Sequence, residues 1–149
     1  MFEKYLDPDS LVVDVHIDGV IFPNTLIYLG ATINIMNKET MLKLNLQRTL
    51  MKTTTFMQLA DQSTVTSEGI VEDVMVSMDS WEYPTYFVVM QPKTKFNGYP
   101  LILGRPWLAT ADAYISYRAG NMTIKNGPLS KQLVLYPPSH PSIDHDLPI

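Results

Sequence analysis

Leu26-Ile27-Tyr28-Leu29-Gly30-Ala31-Thr32 is the stretch that decides the fold, together with a later run, Leu101-Ile102-Leu103-Gly104-Arg105-Pro106-Trp107-Leu108. Each opens with apolar residues and then reaches a glycine. Ile21 to Ile27 reads as a strand leading into the first, with Pro23-Asn24 interrupting it as an edge or bend. Leu101 to Leu103 reads as a short apolar strand, and Pro106 suits the first turn of a helix, where its missing N–H removes no bond.

Outward from these stretches, short β-branched and aromatic runs alternate with turn signals, the pattern of an all-β domain. Leu11 to Ile17 ends at Asp18-Gly19, a two-residue hairpin signal. Ile33 to Met36 is a further short strand. Asn37 can cap a helix over Lys38 to Leu44, with Glu39 in its first turn and Met41, Leu42 and Leu44 as a buried face. Thr53 to Leu59 and Thr64 to Glu68 flank a hairpin tip, and Ile70 to Met78 pairs with Tyr83 to Met90 across Asp79-Ser80-Trp81. Ala113 to Tyr117 and Met122 to Ile124 pair around Ala119-Gly120. The expected division is an extension over 1–10, a domain over 11–136 and a proline-rich, disordered tail over 137–149.

The chain has 149 residues, 46% hydrophobic and 17% charged, an ordinary single-domain composition. With no cysteine, disulfides, thiol catalysis and cysteine-ligated metals are excluded. A net charge of −4 with scattered lysines and arginines argues against nucleic acid, whose phosphates demand clustered cations. The first residues are too charged for a signal peptide, and no apolar run approaches the roughly 20 residues that span a bilayer. The expectation is an intracellular protein with no membrane contact. His140 and His145 with Asp144 and Asp146 have loose metal-like spacing, but in a proline-rich tail they read as solvated; no metal or cofactor is expected. His16, alone on a strand, reads as a packed or edge histidine, and the nine methionines as filling for an adaptable core.

In order and spacing, these motifs resemble the retropepsin-like proteases of plant Ty3/gypsy-type retrotransposons. The two opening stretches carry the likeness, supported by Met57-Gln58-Leu59-Ala60-Asp61-Gln62-Ser63, similar to the family's flap hairpin, and by Gly69 to Val74 and Tyr86 to Val89. The resemblance implies a closed, retropepsin-like β-barrel with one or two short helices. It also implies a homodimer in which each subunit contributes one loop, so that two aspartates meet at the two-fold axis and activate a water. Gly30 and Ala31 keep the tight turn of that loop, and Leu29 is a mild departure from the usual hydroxyl residue. Leu103, Gly104, Arg105 and Pro106 correspond to the structural loop behind it, with Arg105 expected to tie down a carboxylate or carbonyls.

Tyr28 occupies the place of the aspartate. A phenol supplies no carboxylate for the shared-proton dyad, and its ring is bulkier than the acid it replaces. Asp14, Asp18, Asp61 and Asp112 all fall elsewhere, and a misplacement of about 1 Å already costs on the order of a hundredfold. The loop Tyr28, Leu29, Gly30, Ala31 and Thr32 is therefore read as degenerate, with no catalytic residue. The function expected is that of an inactive, homodimeric protein-interaction module. A protein or peptide would sit in the former substrate cleft beside Met57, Leu59, Ala60, Asp61, Gln62 and Ser63. The rivals are an active aspartic endopeptidase with an unorthodox centre and a decayed relic.

Overall fold

Asp18 and Gly19 both adopt positive φ (51° and 79°), the conformation that lets a two-residue turn follow the natural twist of its strands. They join β1 (Leu11–Ile17) to β2 (Val20–Ile27). The structure, a computed structural model, describes residues 10–52, 56–58, 64–90 and 98–138. β2 continues through Pro23 and Asn24, but its pairing is interrupted there, in keeping with the bend expected at that point. Pairing passes from Val13↔Thr25 to Val15↔Phe22, so these two residues face Asp14 alone in a bulge that spares Pro23 a ladder bond.

After the loop that follows β2 come β3 (Ile35–Asn37) and helix α1 (Lys38–Lys43). Asn37 caps α1, its Oδ1 accepting from the Thr40 N–H and the Thr40 hydroxyl, each at 2.8 Å. Met41 and Leu44 are buried, but Leu42 points to solvent and is 47% exposed; a helix this short has room for only a narrow apolar stripe. Ile33 lies outside the strand, which begins two residues later. A 3-10 turn covers Gln47–Thr49.

Strands β4 (Phe56–Gln58) and β5 (Thr64–Thr66) form a two-stranded ribbon in register Met57↔Val65, and the tip between them lies outside the described residues. Next, β6 (Gly69–Met78) and β7 (Trp81–Met90) make the longest hairpin. Its turn is Asp79-Ser80 alone, so Trp81 starts β7 rather than belonging to the turn. Then come β8 (Leu101–Leu103), α2 (Arg105–Thr110), β9 (Tyr114–Ser116), β10 (Asn121–Asn126) and β11 (Leu129–Val134).

Six strands close a barrel in the order β1-β2-β8-β3-β7-β6, and β11-β10-β9 form a separate sheet. Within the barrel β2·β8 and β3·β7 are parallel and the other pairs antiparallel. The sequence reading missed β11 because its residues are half-buried or exposed and carry no apolar alternation. The run Leu133-Val134-Leu135 is engaged within its own chain: Leu133 and Val134 pair with Met122 and Asn121, and Tyr136 exchanges backbone bonds with Val12.

The main core fills the barrel around Val15, Met36, Val76, Phe87 and Trp107, with Trp107 edge-on to Tyr83 at 5.8 Å. The Tyr83 hydroxyl donates to the Lys125 carbonyl (2.9 Å), tying β7 to β10. Met36, Met41, Met78, Met90 and Met122 are buried as core filling, whereas Met51 and Met75 are exposed. A second cluster, Val12, Leu26, Ile35, Val88, Met90 and Ile102, lies beneath the loop that follows β2. Among the described residues no helix is long and apolar enough to cross a membrane.

Candidate functional site

The parallel pairing of β2 with β8, Leu26↔Ile102 and Ile27↔Leu103, carries the two opening stretches to one place. Both faces of this pair are buried, Ile27, Leu101 and Leu103 in the main core and Leu26 and Ile102 in the second cluster, so a one-residue slip would exchange side chains between two differently shaped cores. The Tyr28 N–H then donates to the Leu103 carbonyl (3.0 Å), and the chain turns through Leu29-Gly30 until the Ala31 N–H returns to the Tyr28 carbonyl (3.2 Å). The Ala31 carbonyl accepts from the Arg105 N–H (3.0 Å), which closes the loop against the start of α2.

Gly104 stands where these two segments cross. A methyl group there would collide with the Ile33 carbonyl oxygen and lie 2.7 Å from that of Ala31. Its φ of −101° suits any residue, so space rather than backbone freedom demands glycine. Arg105 works through its backbone; its side chain is exposed and sits in no ion pair among the described residues, contrary to the tie expected of its guanidinium.

The residue that locks the crossing was not singled out in the sequence. Asn34 is 1% exposed, and its Oδ1 accepts from the Gly104 N–H (2.8 Å) and the Trp107 N–H (3.3 Å). Its Nδ2 donates to the Tyr86 carbonyl (3.1 Å), and its own carbonyl accepts from the Val88 N–H (2.9 Å). One carboxamide thus joins the loop, the α2 entry and β7. The signal was present as a lone polar residue between Ile33 and Ile35, a position that must be hydrogen-bonded if buried.

Tyr28 is half-buried and packs on the second cluster with Ala31, Ile33, Ile70 and Tyr99. Its ring folds back over Gly30: a methyl on Gly30 would stand 2.7 Å from Cε2 and Cζ and 2.9 Å from the hydroxyl oxygen. Leu29, Gly30 and Thr32 face solvent. Burial pushes the Tyr99 phenol above its ordinary pKa, which favours a neutral hydrogen-bonding group beside this cluster. Neither stretch, 26–34 nor 101–108, contains an aspartate or glutamate. Around Tyr28 the arrangement offers a flat aromatic face, backbone groups and apolar surface, with no carboxylate in the loop or its clamp.

Of the residues expected to form a flap, Met57 is placed on β4 by its backbone, while Leu59, Ala60, Asp61, Gln62 and Ser63 lie outside the described residues. The same holds for His140, Asp144, His145 and Asp146 of the tail. Among the described residues no group of three or more histidines, aspartates or glutamates is placed to hold a metal ion.

The PEG10/RTL1 protease domain is the family whose model matches this chain, over residues 24–131. That span includes both stretches of the site and most of the barrel. A comparison with curated proteins finds no match. Among solved structures, the retroviral protease-like domain of Ddi1 from Leishmania major superposes with a TM-score of 0.68. The match covers 88% of this chain and 97% of that one at 21% identity, a likeness of fold.

Proposed function

Since the chain belongs to the PEG10/RTL1 retroviral-type protease-domain family, we propose that it is a catalytically silent, homodimeric interaction module that binds a protein segment in the former substrate cleft. On this reading it derives from a plant Ty3/gypsy-type element, supported by the run Leu101 to Leu108. The observation that carries the proposal is the loop itself. The Tyr28 ring is laid over Gly30 and neither the loop nor its clamp contains a carboxylate, which supports reading Tyr28 as standing in the place of the family's aspartate.

An aspartic dyad works because two carboxylates close together share one proton, leaving one to take a proton from water while the other donates. A phenol cannot be half of that pair. Two Tyr28 rings would also fill the floor on which the water must sit. What the loop retains is recognition chemistry: a hydroxyl, an aromatic face and an apolar surround suited to an extended peptide held by strand addition.

The test is peptide cleavage. Purified protein incubated with a mixed peptide library between about pH 4 and 7, where aspartic dyads titrate, leaves every peptide intact. Cleavage suppressed by pepstatin would overturn the proposal. In parallel, Tyr28→Asp places a carboxylate in the loop and leaves its clamp untouched. Cleavage by that variant alone assigns the silence to residue 28.

A further inference from the structure

The barrel carries a groove at the end opposite the loop, lined by residues that the proposed function does not use. Its volume is about 500 Å³, and it runs between the Asp18-Gly19 turn, the outer face of β6 and the segment after α1. Leu44, Leu46, Val74 and Met75 give it an apolar floor, and Met75 is 42% exposed although large and apolar.

Three carboxylates from three separate elements rim this floor. Asp18 comes from the β1–β2 turn, Asp73 from β6 and Glu82 from β7. Asp73 reaches the rim through a bulge: pairing passes from Val71↔Phe87 to Val74↔Thr85, leaving Glu72 and Asp73 opposite Tyr86 alone, with Asp73 at φ 58°. Glu82 lies directly across from Ser77, and Ser77 from His16, so one cross-strand row crosses the groove. No lysine or arginine lines it, and among the described residues none of the three carboxylates is ion-paired.

Like charges around a concave, partly apolar surface reinforce one another's potential, because the low-dielectric wall focuses the field. Such a surface gains by receiving cations together with apolar groups. We propose that this groove docks a short protein segment in which lysine or arginine alternates with apolar side chains, the apolar groups resting on Met75 and Leu46 and the cations meeting Asp73 and Glu82. The sign of the rim rejects nucleic acid, and the apolar floor supplies no ligands for a bare metal ion. The groove and Tyr28 sit at opposite ends of β2, on the order of 20 Å apart at about 3.3 Å per residue. Docking here is therefore separable from any event at the loop.

Fluorescence anisotropy of a short labelled peptide alternating lysine and leucine, titrated with the full chain, tests the proposal. Saturable binding is expected, weakened about fivefold to tenfold by the pair Asp73→Asn and Glu82→Gln. Asparagine is chosen because it tolerates the left-handed conformation at position 73. Glu39→Gln, on exposed α1 outside the groove, leaves affinity unchanged. If the pair disturbs folding, Glu82→Gln alone still weakens binding measurably. Three results overturn the proposal: no binding, equal binding of a glutamate–leucine peptide, or an equal loss with Glu39→Gln, which would reduce the effect to net charge. Displacement of the peptide by stoichiometric calcium would also overturn it, in favour of an ion site.

Discussion

Removing the carboxamide of Asn34 strands the buried N–H groups of Gly104 and Trp107 and the part-buried carbonyl of Tyr86. Each buried group left unpaired costs roughly 1–3 kcal/mol, and the three share one anchor, so the losses do not simply add. Asn34→Ala is expected to destabilise the fold by about 3 kcal/mol in urea unfolding. A loss below about 1 kcal/mol would mean that the neighbouring backbone finds other partners. The contrast with Tyr28 is instructive. On the proposed reading, Tyr28 changes the chemistry of the loop while its backbone keeps both hydrogen bonds that shape the turn, so fold and reactivity separate at the level of single atoms. That separation was half legible in the sequence. The absence of an acid at position 28 could be read directly, whereas the role of Asn34 depends on a partner 70 residues away that no local pattern reveals.

At the scale of elements, local chemistry was readable wherever it was sufficient. Asp18-Gly19 specifies its own hairpin and Asn37 caps its own helix. The apolar run before Gly104 with Pro106 behind it marks β8 and α2. Elements defined by their partners were misread: β11 has no apolar stripe because one sheet edge and much of its face meet solvent, and Leu42 looked like core until the helix proved too short to bury it. The turn between β6 and β7 yields a prediction of its own. Ser80 sits at φ 71° and Asp79 at 50°, a geometry that favours glycine at the second position. Left-handed backbone costs a non-glycine residue about 1–2 kcal/mol, and glycine's extra freedom in the unfolded chain returns about 0.5–1 kcal/mol of that. Ser80→Gly is therefore expected to stabilise the protein by about 0.5 kcal/mol, a rise of about 1–2 °C in Tm by calorimetry. A fall in Tm would show that the Ser80 hydroxyl, which donates to the Asp79 carbonyl at 2.6 Å, matters more than the strain.

At the scale of the molecule, one chain contributes one loop, and a two-fold interface sets a patch against its own copy. Leu29 is 44% exposed at the tip of that loop, beside half-buried Tyr28 and Ile33 at the margin of the second apolar cluster. A solvent-facing leucine next to an aromatic rim gains by meeting its symmetry mate, and apolar burial is worth about 25 cal/mol per Å². The outer edge of β11, where Val134 is 60% exposed, gives a mate a second place to add a strand. Light scattering at micromolar concentration is expected to give twice the 16.9 kDa mass of the chain. Leu29→Glu brings two carboxylates together near the axis, so this variant is expected to be monomeric, with thermal unfolding showing its barrel still folded. Dissociation by Val134→Lys alone would instead place the interface on the β11 edge. A monomer for the unaltered chain would remove the dimer from the proposed function and leave the loop as a surface for a different partner. The loop's geometry would not change in that case, because every hydrogen bond that closes it against β8 and α2 lies within one chain.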